Sequence, residues 1–205
     1  MLIIREHAEE WKVDTDRIAI CGFSAGAHNC AMYSVYWDSE YMTDYFHEPA
    51  EKFRPAAAIL GYTLSDYCYM KESVNNDPVA SSLFKMSNLA FTGQEQPSDE
   101  LLEKISPARL VTENTPPMFI WATAADGLVP VQHSLLMGQA LAEKKIPFEM
   151  HIFENGDHGL SLCTQASSGD KTQIDRDAAE WAALAERFLV RRMPLELDEY
   201  SSWTI

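Results

Sequence analysis

Basic residues, glycines and long apolar runs are all scarce in this 205-residue chain. Lys and Arg number 16 against 31 Asp and Glu, so the formal net charge is −15 at pH 7. Such a charge repels polyanions, which argues against nucleic acid or an anionic membrane as a partner. No segment approaches the roughly 18 consecutive apolar residues of a membrane span, and the opening MLII is too short for a signal-peptide core. We therefore expect a cytoplasmic protein that does not engage a membrane.

Cysteine is also sparse, and its spacing excludes several kinds of site. Cys21, Cys30, Cys68 and Cys163 form neither a C-x-x-C pair nor a zinc-binding pattern. Free, mostly buried thiols in a reducing compartment account for them. The sequence contains no P-loop, no G-x-G-x-x-G and no H-E-x-x-H, so neither a metal nor a nucleotide cofactor is predicted.

What the sequence does contain is an alternation of strand-like and helix-like segments. Compact apolar runs at 17–23, 54–62, 116–124 and 147–153 predict four strands. Amphipathic or small-residue patterns predict helices at 2–12, 25–36, 131–145 and 174–192. Strands separated by helices favour an α/β fold, with a mostly parallel sheet flanked by helices. With 46% hydrophobic residues, the chain can bury one core, so we predict a single domain over residues 1–205.

A nucleophile motif lies directly after the first predicted strand. Residues 21–28 read CGFSAGAH and place Ser24 between Gly22 and Gly26, in the G-x-S-x-G pattern. Small residues allow a strand to turn sharply into a helix, and the hydroxyl at the apex of such a turn is accessible. The amide of Ala25 would then lie at a helix N-terminus, where it can donate to a developing oxyanion. A motif this short also occurs by chance in unrelated sequences. Its assignment as a nucleophile therefore needs catalytic partners elsewhere in the chain.

A serine hydroxyl requires a base within hydrogen-bond reach, and six histidines compete for that role. His158 follows the fourth predicted strand, between Gly156 and Gly159, at the carboxyl end of the sheet where ligands bind in α/β folds. The other five have weaker cases. We expect a packing or supporting role for His28, a partly solvated position for His133, and no reason for His7, His47 or His151 to meet Ser24.

The base in turn needs a carboxylate to orient it. Asp126 follows the third predicted strand, and Gly127 and Pro130 supply turn chemistry after it. Asp157 is the weaker candidate, because adjacent side chains in an extended loop usually diverge. The chain order Ser24, Asp126, His158 is the order of the α/β-hydrolase triad.

These motifs carry a resemblance to a known family. DRIAICGFSAGAH, ISPARLVTENTPPMFIWATAADGLVP and MHIFENGDHGLSL resemble α/β hydrolases of the acetyl esterase/lipase type, in the acetyl-xylan and feruloyl esterase-like branch. The resemblance implies that Ser24 is the nucleophile, His158 the general acid–base and Asp126 the orienting acid. It also implies hydrolysis of short acyl esters, with acetyl groups on sugars or xylo-oligosaccharides as the leading substrates.

The sequence departs from this family at its N-terminal side. Such enzymes carry further strands and a glycine-rich oxyanion loop ahead of the elbow, which are absent from residues 1–16. We therefore expect a partial, N-terminally truncated α/β-hydrolase fold. A lost oxyanion donor lowers turnover about 10²–10³-fold. The strand at 17–23 would be an exposed edge, so we predict a homodimer, pairing with a separately encoded N-terminal half, or poor solubility.

Two questions stay open at this level. Residues 63–116 form either a lid or acyl-pocket wall, or ordinary core beneath a long connection. The protein is either a serine carboxylesterase, an inactive remnant that serves as a binding or assembly partner, or a serine peptidase of the prolyl-oligopeptidase type. That peptidase type usually needs a large extra domain, which this sequence lacks.

Overall fold

A computed structural model of the chain describes residues 1–74 and 78–194. The strands are β1 (Ala19–Phe23), β2 (Ala57–Gly61), β3 (Met118–Thr123) and β4 (Phe148–Phe153). The helices are α1 (Leu2–Glu6), α2 (Ala8–Trp11), α3 (Ala25–Tyr36), α4 (Glu40–Phe46), α5 (Tyr67–Ser73), α6 (Pro78–Thr92), α7 (Asp99–Lys104), α8 (Gln132–Glu143), α9 (Arg176–Ala179) and α10 (Trp181–Arg192). Short 3-10 turns lie at Ala50–Lys52, Pro107–Arg109 and Lys171–Gln173.

The four strands form one parallel sheet in the order β1-β2-β3-β4. Each strand therefore pairs with the next one in the chain, and all four carboxyl ends meet at one edge. The loops that carry Ser24, Asp126 and His158 leave the sheet at that edge. The predicted α/β fold with a parallel sheet is confirmed.

The two central strands, β2 and β3, are buried on both faces of the sheet, and their neighbouring residues point to opposite sides. On one face, Ile59, Phe119 and Trp121 pack with Trp181 and Phe188 of α10. On the other face a second cluster joins β2 and β3 to α3 and α8; its members include Ala27, Ala31, Leu60, Met118, Ile120, Met137 and Leu141. The result is a three-layer arrangement with helices on both faces of the sheet.

Two predicted helices are each divided in the structure. The helix predicted at 2–12 breaks at His7 and ends at Lys12, which has the left-handed φ of 55° that terminates helices. The helix predicted at 174–192 starts at Arg176, after the Asp175 side chain caps the N–H of Ala178, and is interrupted at Glu180.

The segment 63–116 contains α5, α6 and α7. Part of it has its own apolar cluster, formed by Leu64, Tyr67, Met70, Phe84, Leu102 and Ile105 together with Val129 from the segment after β3. That packing agrees with the core interpretation of this segment, whereas a lid function stays a prediction. No helix within residues 1–74 and 78–194 combines the length and the apolar character needed to cross a membrane.

Candidate active site

Ser24 occupies a strained turn between β1 and α3. Its backbone has φ 53° and ψ −121°, a conformation that L-residues rarely adopt. Gly22 makes the turn possible, since a Cβ there would overlap the backbone of Gly26. Gly26 itself has open space around its Cβ position, so the structure requires only the first of the two motif glycines on steric grounds.

The structure brings the three residues singled out by the sequence into one hydrogen-bonded chain. The hydroxyl of Ser24 lies 2.7 Å from Nε2 of His158. Nδ1 of His158 lies 2.7 Å from Oδ2 of Asp126. The carboxylate side chain is 1% exposed and the imidazole 13% exposed, so the contact between these two groups is shielded from water. A serine, a base and an orienting acid in this sequence of contacts form the arrangement that activates a hydroxyl nucleophile.

Asp126 is held by its own loop. Its Oδ1 accepts the N–H groups of Leu128 and Val129, both at 2.9 Å, which leaves Oδ2 directed at His158. These three hydrogen bonds satisfy a carboxylate that would otherwise be destabilised by burial. Asp157 is exposed, and no contact between it and the imidazole is observed within the described residues.

The loop that carries His158 is anchored from two strands. The hydroxyl of Thr123, at the end of β3, donates to the carbonyl of Gly156 at 2.6 Å. The hydroxyl oxygen of Tyr62, directly after β2, accepts the N–H of Ser161 at 3.0 Å. The Tyr62 ring also packs edge-on against the imidazole of His158, with 4.9 Å between ring centroids. Burial raises the pKa of Tyr62, so the phenol stays neutral beside the site.

The sequence interpretation did not identify Tyr62 or Thr123 as supports of the site. Each directly follows or ends an apolar strand run, and that position is the only signal the sequence offers for them. Ala25 begins α3, at a position where helix geometry leaves the backbone N–H without an intrahelical acceptor. Its role as an oxyanion donor stays a prediction.

Of two other histidines, one lies as predicted and the other does not. His28 is buried against Tyr67 and Phe91, in keeping with a packing or supporting role. His133 was expected to be partly solvated, and that prediction is wrong, because the residue is 1% exposed. Its Nδ1 instead accepts the N–H groups of Ser65 and Asp66 in the loop after β2. The amphipathic pattern of α8 does not reveal that contact. His7 lies between α1 and α2, where its ring stacks on that of Trp11.

The fold and the site together define an α/β hydrolase. They combine a parallel sheet, a strained serine between the first strand and the first long helix, and an acid and a histidine on later loops. The family model described as BD-FAE matches residues 2–141, which is more than half of the chain. The chain therefore belongs to the BD-FAE family, and the resemblance found in the sequence is confirmed.

Relatives and solved structures agree with this membership. The chain is 37% identical over 163 residues to endo-1,4-beta-xylanase B of Butyrivibrio fibrisolvens, covering 78% of this chain and 23% of that protein. It is 28% identical over 182 residues to an acetylxylan esterase of Xylanibacter ruminicola, covering 87% of this chain and 33% of that protein. The chain thus spans only about a third or less of the length of each of these two relatives.

Two solved structures share the fold. A carboxylesterase of Lactobacillus plantarum superimposes with a TM-score of 0.74 at 28% identity, covering 96% of this chain and 66% of that chain. An acetyl ester-xyloside bifunctional hydrolase of Caldicellulosiruptor lactoaceticus superimposes with a TM-score of 0.70 at 30% identity, covering 93% of this chain and 62% of that chain. The chain accordingly falls within an enzyme family of the hydrolase class.

Proposed function

We propose that this protein is a serine carboxylesterase that forms an acyl-enzyme on Ser24. The observation that carries the proposal is the continuous hydrogen-bonded chain from the Ser24 hydroxyl through His158 to Asp126. Each contact is 2.7 Å, short enough for proton transfer without rearrangement. The strained backbone at Ser24 supports the same assignment, because strain of this kind concentrates at functional sites.

The contacts suggest the order of proton transfers. Nε2 of His158 takes the proton of Ser24 as Oγ attacks the ester carbonyl, and Asp126 stabilises the imidazolium that results. The N–H of Ala25 donates to the oxyanion. Collapse of the tetrahedral species returns the proton to the departing alcohol and leaves the acyl group on Ser24. Water then attacks the acyl-enzyme by the same route, releasing the acid and restoring the serine.

Short acyl esters of sugars are the substrates we propose, with acetyl groups on xylo-oligosaccharides first among them. The support is comparative: one relative is an acetylxylan esterase, and one structural neighbour hydrolyses acetyl esters and xylosides, as its name states. A cytoplasmic location is part of the same proposal, and the four free cysteines support it.

Hydrolysis of p-nitrophenyl acetate tests the reaction. The protein should release p-nitrophenol well above the buffer rate, and Ser24→Ala should remove that excess. Ser82→Ala is the matched control, because Ser82 is exposed on α6 and should keep the full rate. Equal rates for the unmodified protein and Ser24→Ala would refute the proposal.

Two alternatives predict different results in related assays. An inactive remnant that serves only in binding would leave Ser24 unmodified by a fluorophosphonate. A peptidase of the prolyl-oligopeptidase type would release amine from a blocked peptide. We favour the esterase over the inactive remnant because the three side chains are already in contact. We favour it over the peptidase because the similar proteins include an acetylxylan esterase and a carboxylesterase.

A further inference from the structure

We propose that His28 and His133 act as a paired clamp on residues 64–66 that positions Ser24 and Asp126 relative to each other. This inference rests on the proposed function, because it assigns positioning roles for that reaction. Neither histidine touches the hydroxyl of Ser24. Each instead fixes the loop after β2, one from the helix that follows the nucleophile and one from the helix that follows the acid.

His133 holds the loop through its ring and its backbone. Its Nδ1 accepts the N–H groups of Ser65 and Asp66, at 3.4 and 3.3 Å. Its carbonyl accepts the hydroxyl of Ser65 at 2.5 Å. Both residues of the Ser65–His133 pair are almost completely buried, so water does not compete for these contacts. Three hydrogen bonds therefore join the start of α8 to the loop after β2.

His28 holds Leu64, the residue before Ser65, from a different helix, α3. Its Nδ1 donates to the carbonyl of Leu64 at 2.9 Å. The ring is 3% exposed and is packed edge-on by Tyr67 and Phe91, at centroid distances of 5.3 and 4.9 Å. Three consecutive residues are thus held by two histidines from different elements.

The two rings must be neutral and in opposite tautomers. His133 can accept two N–H groups only if Nδ1 is unprotonated, so its proton lies on Nε2. His28 can donate to a carbonyl only if its proton lies on Nδ1. Both Nε2 atoms are buried without a hydrogen-bond partner in the described part of the chain. Burial lowers the pKa of both imidazoles, that of His133 to about 4, which keeps them neutral near pH 7.

The charged and polar neighbours of the clamp fit this arrangement. Burial disfavours the charged form of His133 more strongly than the nearby carboxylates of Asp66 and Asp126 favour it. Tyr69 packs edge-on against His133 at 5.2 Å. Arg109 pairs with Asp66 at 2.8 Å and so holds the far end of the clamped loop.

Backbone hydrogen bonds connect each histidine to the reacting groups. The N–H of His28 donates to the carbonyl of Ser24 at 3.0 Å, one turn away on α3. The N–H of His133 donates to the carbonyl of Pro130 at 3.0 Å, directly after Val129, whose N–H holds Oδ1 of Asp126. A shift of either ring would therefore move one end of the triad relative to the other.

Substitutions at His133 separate positioning from simple packing. His133→Asn retains an acceptor oxygen near the Nδ1 position, whereas His133→Phe fills the space without one. With p-nitrophenyl acetate we expect His133→Phe to lower kcat about 10- to 100-fold, since a misplacement near 1 Å has effects of that size. KM should change less than twofold, and His133→Asn should recover most of the lost rate.

The pH profile gives a readout that packing alone would not move. A loosened contact between Asp126 and His158 removes carboxylate support for the imidazolium, so the acid limb of kcat/KM should move to lower pH in His133→Phe. An unchanged profile with unchanged kcat in a folded His133→Phe protein would overturn the clamp. Equal losses in the Phe and Asn variants would also overturn it.

A measurement without substrate keeps this inference distinct from the proposed function. Long-range nitrogen–proton NMR spectra of the unmodified protein should show a proton on Nδ1 of His28 and on Nε2 of His133 at pH 7. It needs no stable variant and no activity. The same tautomer in both rings, or a positive charge on either, would contradict the clamp even if the esterase reaction is demonstrated. Correct tautomers without any esterase activity would instead count against the proposed function.

Discussion

A conservative substitution of Asp126, the proposed acid of the triad, tests its role directly. Asp126→Asn keeps the size of the side chain but can present an amide N–H to Nδ1 of His158, which favours the wrong imidazole tautomer. We expect kcat to fall about 10⁴-fold, as loss of the triad acid does in serine hydrolases. Asp157→Asn is the matched control, because this neighbouring carboxylate is exposed. Steady-state kinetics on p-nitrophenyl acetate will distinguish them, and comparable losses in both variants would contradict the assignment.

The buried imidazole of His133 should also make the stability of the protein depend on pH. Burial lowers its pKa to about 4 in the folded protein, from 6.5 in an unfolded chain. Between those values the unfolded chain binds a proton that the folded protein does not, so the free energy of unfolding falls as pH decreases through this window. From pH 7 to pH 5 this contribution is about 2 kcal/mol at most.

Urea denaturation of the unmodified protein and His133→Asn at both pH values measures that contribution. The variant lacks the titrating group, so the stability advantage of the unmodified protein should be smaller at pH 5 than at pH 7. An advantage that stays constant between the two pH values would show that the imidazole is not buried in its neutral form.

At the scale of elements, the turn from β1 into α3 depends on a single glycine. Gly22→Ala would place a Cβ against the backbone of Gly26, so the turn must open. We expect a loss of about 1–3 kcal/mol in unfolding free energy, the usual range for overpacking. Gly26→Ala, with open space around the added methyl, should leave stability unchanged or raise it by about 0.5–1 kcal/mol.

Chemical denaturation of the two alanine variants gives the comparison directly. Equal stabilities would mean that the close approach of Gly22 to Gly26 does not constrain the turn. The pair is informative because both changes add one methyl group within the same motif.

The two central strands, β2 and β3, could be predicted because they are buried on both faces of a parallel sheet, which produces continuous apolar runs. The outer strands, β1 and β4, are only partly buried, but their apolar runs are still long enough to be recognised. Ser24, Asp126 and His158 could be singled out because each follows such a run beside turn residues. The positions of His28 and His133 could not, because their partners are backbone groups of a loop far away in sequence. Hydrogen bonds to backbone groups do not depend on the identity of the partner residue, so no sequence pattern indicates them. The division of the terminal helices at His7 and Glu180 was likewise absent from the apolar pattern.

At the scale of the whole molecule, the free edge of β1 is the feature with the clearest consequence. Among the described residues β1 pairs only with β2, so its other side has no strand partner. Unpaired strand edges associate with other chains. We propose that this edge pairs with a second copy of the chain.

Size-exclusion chromatography with light scattering on the 205-residue chain tests this pairing. We expect a dimer, or a species whose mass rises with concentration, because the edge would pair between copies. A stable monomer across the concentration range would contradict pairing between copies. The assay is independent of activity and so does not depend on the assignment of the triad.

Fluorophosphonate labelling followed by peptide mass spectrometry is the most direct test of the central claim that Ser24 is an activated nucleophile. The reagent forms a covalent phosphonate ester with an activated serine and does not require the natural substrate. We expect a single adduct on the peptide that contains Ser24, strongly reduced in His158→Ala and absent in Ser24→Ala. No adduct on a folded protein, or an adduct on another serine that persists in Ser24→Ala, would contradict the account.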